Sequence, residues 1–161
     1  MLRSASAQLK PWQDAGLPPL SMAINLSMRQ LINPSLGALV AKVLDETGLR
    51  PEQLELGLKE AALIHDFPAS AVTLKELKKL GTQVALDDFG NGGASAIGYL
   101  RRLPIDAIKL DRTLIKETGH PGTEQIVALA LTELAHSLAI KVVAEGVETQ
   151  EQWAFLQGGR L

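Results

Sequence analysis

Several residues in this chain are of types that do chemistry, and they cluster. They are Asn25, Lys59 with Glu60, the pair Asp87-Asp88, Lys109 with Asp111, and Glu145 with Glu148. Carboxylates and a side-chain amide are hard oxygen donors, which suit Mg2+ or Mn2+ rather than zinc. Two adjacent aspartates can serve a pair of such ions about 4 Å apart, an arrangement that cleaves phosphodiesters. A lysine pointing into that cluster can orient or deprotonate the attacking water, or hold a phosphate oxygen. The three histidines, His65, His120 and His136, show no ligand spacing and read as structural. The chain has no cysteine, which excludes disulfides, thiolate zinc sites and a cysteine nucleophile.

Each of these groups also has a plainer explanation. Asp87-Asp88-Phe89-Gly90-Asn91-Gly92 has the composition of a turn. Lys109 can serve only to pair with Asp111 or Asp106. Glu145 and Glu148 precede a helix, where acids are favourable. Asn25 can cap a turn. What decides between the two explanations is where these residues fall in the fold.

Short apolar, β-branched runs cover residues 20–26, 54–58, 83–86, 107–110 and 141–144. Helical periodicity fills the gaps. Leu36, Leu39, Val40, Val43 and Leu44 share one helix face over 35–47, which Gly48 stops. Leu74 and Leu77 mark a helix over 70–80, and Ile97 and Leu100 one over 94–102. Val127, Ala130, Leu131, Leu134 and Leu138 mark another over 123–139. Thr149 and Gln152 form a capping box that opens a last helix, with Trp153 and Leu156 on one side. Residues 2–14 read as a first helix, with Leu2, Leu9 and Trp12 together.

The order is a helix, then strand and helix five times over. Such alternation means a parallel sheet with crossover helices, either an open doubly wound sheet or a (β/α) barrel. Chemistry in these folds sits at the carboxyl ends of strands. All five strands deliver a polar group there. Carboxylates converging on one rim repel one another unless a cation lies between them.

Composition sets the outer bounds. A chain of 161 residues fits one domain, and 46% hydrophobic with 21% charged residues fits a soluble globular α/β protein. Sixteen basic against 18 acidic residues leave a charge of −2, which argues against a DNA or RNA polymer as partner. No run of eighteen apolar residues occurs, so no membrane span is expected. The first ten residues are too polar for a signal peptide, and a cytoplasmic location is the expectation.

The strings Ile24-Asn25-Leu26-Ser27, Ala85-Leu86-Asp87-Asp88-Phe89-Gly90-Asn91-Gly92, Ile108-Lys109-Leu110-Asp111 and Ala144-Glu145-Gly146-Val147-Glu148-Thr149 resemble the EAL domain. That family comprises bacterial cyclic di-GMP phosphodiesterases and their inactive relatives. The resemblance runs along nearly the whole chain. It implies an α/β fold, part of a TIM-like (β/α) barrel with about five parallel strands and flanking helices. It implies metal-dependent hydrolysis of cyclic di-GMP to the linear dinucleotide, with Mg2+ or Mn2+. Asn25, Asp87, Asp88 and Glu145 fall on metal positions, and Lys109 on the catalytic lysine. Glu60 falls on a glutamate that steadies the loop after the aspartate pair. Asp111 and Glu148 stand beside them as candidate support.

Four departures from the family pattern bear on that activity. Residues 1–161 are expected to form a single, incomplete EAL-type domain, lacking the family's first two strands and its last. The Glu-Ala-Leu string and its metal-ligand glutamate are absent. Gly57 stands where the family has a second ligand glutamate, and Lys59 where it has threonine. The loop over 89–100 is one residue longer than usual. A homodimer or partner domain is expected to complete the barrel. Lys59 either reaches toward the emptied metal position to pair with Asp87 or runs to solvent along the rim. Turnover is expected to be impaired. The alternative is a catalytically inactive module that binds cyclic di-GMP or another protein in bacterial signalling.

Overall fold

The computed structural model describes residues 2–16, 18, 20–90, 97–116 and 123–158. The expectation of a lengthened loop over 89–100 and the reading of His120 fall, in part or whole, outside these residues. The fold is α/β, with five strands in parallel ladders flanked by helices. The chain divides into two compact units.

The first unit comprises Met1–Leu58 and Ala62–Val84. Helix α1 (Leu2–Asp14) leads to strand β1 (Met22–Leu26), short helix α2 (Met28–Leu31) and helix α3 (Leu36–Thr47). A single 3-10 turn (Pro51–Gln53) then enters strand β2 (Leu54–Lys59). Helices α4 (Glu60–His65) and α5 (Phe67–Lys79) follow. Strands β1 and β2 pair in parallel from Met22 opposite Leu54 to Leu26 opposite Leu58. A parallel pair needs a crossover, which α3 supplies. Its Leu36, Val40, Val43 and Leu44 are buried, and it ends at Gly48, whose left-handed conformation lets its N–H reach the Leu44 carbonyl at 2.9 Å. Leu39 and Trp12, both assigned to inward faces from the sequence, are 47% and 43% exposed.

The second unit comprises Lys59–Ala61 and Ala85–Leu161. Strand β3 (Gln83–Phe89) enters it from Ala85. Helix α6 (Ile97–Leu100), strand β4 (Ala107–Leu110), helices α7 (Thr113–Lys116) and α8 (Thr123–Ser137), strand β5 (Lys141–Ala144) and helix α9 (Gln150–Gly158) follow. Strand β4 pairs in parallel with both β3 and β5. The β4 and β5 bounds coincide with the sequence reading.

Two differences from the sequence reading matter. Strand β3 runs on through Asp87, Asp88 and Phe89, so the aspartate pair lies within a strand. Helix α8 buries Gln125, Ala128, Leu131, Thr132 and Ala135, leaving Ile126 and Val127 exposed. Its inward face is therefore rotated toward smaller side chains. Trp153 of α9 is 53% exposed, while Gln152 and Leu156 face inward.

Gly90 ends β3 with φ of 97°. A Cβ there would stand 2.7 Å from Leu114 Cδ1 and 3.1 Å from Leu131 Cδ1, both on buried residues. Strain and overpacking act together, so Gly90→Ala is expected to destabilise the chain by about 2 kcal/mol. Urea denaturation measures it, and an unchanged midpoint would contradict the packing described.

Candidate functional site

The site grows from an irregularity in the β3–β4 ladder. Ala85 and Leu86 sit opposite Ala107 and Ile108, and Phe89 sits opposite Leu110, with a register shift between. Asp87 and Asp88 together therefore face the single residue Lys109. This is a β-bulge, which re-aims side chains that would otherwise alternate between faces. Asp88 takes a left-handed φ of 56°, a conformation that aspartate tolerates better than most residues.

Lys109 Nζ lies 2.9 Å from Asp87 Oδ1, and the two side chains are only 15% and 13% exposed. The contact is a nearly buried ion pair.

Lys59 Nζ lies 2.8 Å from Asp88 Oδ2, with 72% and 40% of the side chains exposed. The sequence reading paired Lys59 with Asp87, and the structure pairs it with Asp88. The bulge explains the change, because Asp87 turns inward to Lys109 while Asp88 turns toward solvent. The hydrogen bond from Lys59 to Asp88 holds the lysine pKa above 10.5, aided by the charges of Asp88, Asp87 and Asp111 and opposed by slight burial. These carboxylates thus act on one ammonium.

The other expected residues are placed as follows. Glu60 is 4% exposed, and neither carboxyl oxygen has a hydrogen-bond partner. Burial pushes its pKa above 4.5, and the nearby Gly90 backbone N–H opposes that shift. Asp111 Oδ1 accepts from Thr113 N at 2.8 Å and Thr113 Oγ1 at 2.6 Å, which caps α7. The Asp-x-Thr spacing carries that signal in the sequence. Glu145 follows β5 with an exposed side chain, and its N–H extends the ladder to the Leu110 carbonyl at 3.4 Å. Gly146 lets Arg112 pass close, since a Cβ there would meet Arg112 Cβ at 2.8 Å. The Glu148 side chain is exposed, and its N–H donates to Gln152 Oε1 at 2.6 Å. Gln152 also accepts from Thr149 N and donates its own N–H to Thr149 Oγ1, which is the expected capping box. In the first unit Asn25 is exposed on β1 and directly opposite Gly57 on β2.

The aspartate pair fits a hard divalent cation in donor type, and the Asp88 carboxylate, 40% exposed, is open to one. Among the described residues, no three His, Asp or Glu side chains are gathered to hold a metal. The pair is the start of a site rather than a closed cage, and Gly57 contributes no donor atom. No helix among the described residues is long and apolar enough to cross a membrane.

The raised Glu60 pKa sets a sign for pH dependence. A carboxyl with a folded pKa above its unfolded value stabilises the fold at low pH, and that contribution is lost as pH rises through the folded pKa. Glu60→Gln is therefore expected to gain stability relative to the parent as buffer moves from mildly acidic to neutral. Denaturation midpoints for both proteins across that range test this, and a constant difference would refute it.

The geometry can now be set beside known proteins. The EAL domain family pattern matches residues 1–158. An uncharacterized signaling protein of Caulobacter vibrioides is 42% identical over 158 residues, 98% of this chain and 19% of that protein. The cyclic di-GMP phosphodiesterase NbdA of Pseudomonas aeruginosa is 39% identical over 157 residues, 98% of this chain and 20% of that protein. The chain thus spans about a fifth of these curated relatives. Among solved structures, the PaMucR phosphodiesterase in complex with c-di-GMP superposes with a TM-score of 0.89 at 35% identity, covering 98% of this chain and 68% of that one. Klebsiella pneumoniae BlrP1, solved with manganese and c-di-GMP, gives 0.85 at 33%, covering 98% and 40%. EAL structures are TIM-like barrels, and the five parallel strands with their helices are this chain's counterpart of that architecture. By sequence, by fold and by the residues at its strand ends, this chain belongs to the EAL domain family.

Proposed function

We propose that this chain handles cyclic di-GMP, as an EAL phosphodiesterase module whose hydrolytic step is impaired. The observation that carries the proposal is the aspartate pair at the end of β3 with the nearly buried Lys109 ammonium 2.9 Å from Asp87. Asp87 and Asp88 would hold a divalent ion, with Asn25 and Glu145 as further ligands. Mg2+ or Mn2+ is the proposed ion, and the manganese complex of the Klebsiella relative supports the second. When bound, the ion supplies positive charge that polarises a phosphodiester and an attacking water.

The chain's own groups do the rest. An ammonium is a donor with no lone pair, so Lys109 beside Asp87 holds a phosphate oxygen or orients the water. Asp87 in turn fixes where that ammonium sits. Water oxygen bonds to phosphorus and gives up a proton, one phosphorus–oxygen ester bond breaks, and a proton from that water ends, through solvent, on the leaving alkoxide, giving the linear dinucleotide. Glu60, buried near the Gly90 backbone, would steady the loop that follows the pair. Asp111 positions α7 by capping it. A cytoplasmic setting and a homodimer or partner domain belong to the same proposal.

One observation favours a second reading, that of a non-catalytic module that binds the nucleotide or a protein partner. Residues directly opposite in a parallel pair present side chains on one face, and opposite Asn25 stands Gly57, which has no side chain. Loss of metal-borne charge stabilisation costs several kcal/mol, hence orders of magnitude in rate. Affinity can persist where turnover does not.

A thermal melt with and without cyclic di-GMP and Mn2+ tests the nucleotide reading. Binding is expected to raise the midpoint, by about 2.7 kcal/mol of stability at a hundred times the dissociation constant. No shift would sink it. Chromatography for the linear product separates the enzyme from the binder, and product at undiminished rates would overturn the claim of impairment. Lys109→Met is expected to cost about 3 kcal/mol of stability, by leaving Asp87 uncompensated, and to remove any residual turnover. Wild-type stability in that variant would contradict the ion pair.

A further inference from the structure

We propose that Lys59 is a tethered cation that occupies the Asp88 carboxylate and must be displaced before a divalent ion can use it. The inference rests on reading the aspartate pair as the divalent-ion site. Lys59 Nζ lies 2.8 Å from Asp88 Oδ2, which is direct ion-pair contact. A divalent ion approaching that oxygen meets a positive charge already seated there.

The two lysines at the pair are not equivalent. Lys109 and Asp87 are nearly buried, and the backbone of both is fixed by strand pairing on either side of the bulge. Lys59 stands at the last position of β2 and is 72% exposed, on a flexible stem. Releasing its ammonium to solvent forfeits only a surface contact, and such contacts are individually weak. Lys109 is thus a permanent member of the site, and Lys59 is a removable one. Asp88 itself is 40% exposed, so its carboxylate is accessible to an ion once Lys59 is released.

The competition has a defined consequence. Occupancy of Asp88 by metal depends on the metal concentration against an intramolecular ammonium whose effective concentration is set by a short tether. Lys59 therefore lowers the apparent affinity for the divalent ion without blocking the site. It also keeps Asp88 neutralised when no ion is bound.

The test is direct Mn2+ binding to the whole chain without nucleotide, by electron paramagnetic resonance of free Mn2+. Four proteins are compared: the parent, Lys59→Met, Asp88→Asn and the double variant, each checked for fold by circular dichroism. Lys59→Met is expected to bind at least about fivefold more tightly than the parent, as removing one unit charge a few ångströms away predicts. The gain is expected to vanish in the Asp88→Asn background. Lys59→Gln, a second neutral variant, is expected to reproduce the gain, so a folding defect peculiar to methionine would not decide the matter. Equal, measurable affinity in the parent and both neutral variants would overturn the competition and leave the divalent reading standing. A gain that survives Asp88→Asn would overturn it as a mere change in net charge. No Mn2+ binding in any protein would overturn both.

Discussion

Two neighbouring carboxylates at the end of one strand repel each other, and the structure of the second unit is organised around that repulsion. The bulge between Leu86 and Phe89 separates their directions, so that Asp87 turns to Lys109 and Asp88 to Lys59. Each aspartate then faces one ammonium. The arrangement explains several oddities together. Asp88 accepts a left-handed backbone, Gly90 must be glycine because the chain turns sharply against Leu114 and Leu131, and Asp111 is close enough to add its charge to the field at Lys59.

Much of this was legible in the sequence, and the illegible remainder has physical causes. Strands β4 and β5 were read to the residue, because β-branched runs between helix stop signals are a local feature. The α9 capping box was likewise local, written in Thr149 and Gln152. The inward faces of helices were read less well. In helix α8 Leu131 was read correctly, but Val127 and Ala130 were assigned inward and are exposed, while Gln125, Ala128, Thr132 and Ala135 are buried. Which side of a helix faces the core is settled by the surface it meets, and that surface is not in the local sequence. Trp12 and Trp153 were placed inward on hydrophobicity and are about half exposed for the same reason.

The site divides in the same way. Residue types and strand-end positions marked Asp87, Asp88 and Lys109, and the fold brings them together. The partner of Lys59 was misread because a bulge has no sequence signature here beyond the aspartates themselves. A period-two count past residue 86 assigns faces wrongly, and only the ladder reveals the shift. Short helices such as α7 escaped notice as well, although the Asp111 and Thr113 cap that opens it is a recognisable local signal.

Strand β2 carries the argument about activity furthest. On the sequence resemblance, Gly57 stands where a ligand glutamate is expected and Lys59 where a threonine is, two residues along the same strand. Each change moves the local charge by one positive unit, and together they amount to the charge of one divalent ion. A site altered by glycine alone would carry less negative charge and fewer ligands. With Lys59 in place, Asp87 and Asp88 each face an ammonium that the chain itself supplies.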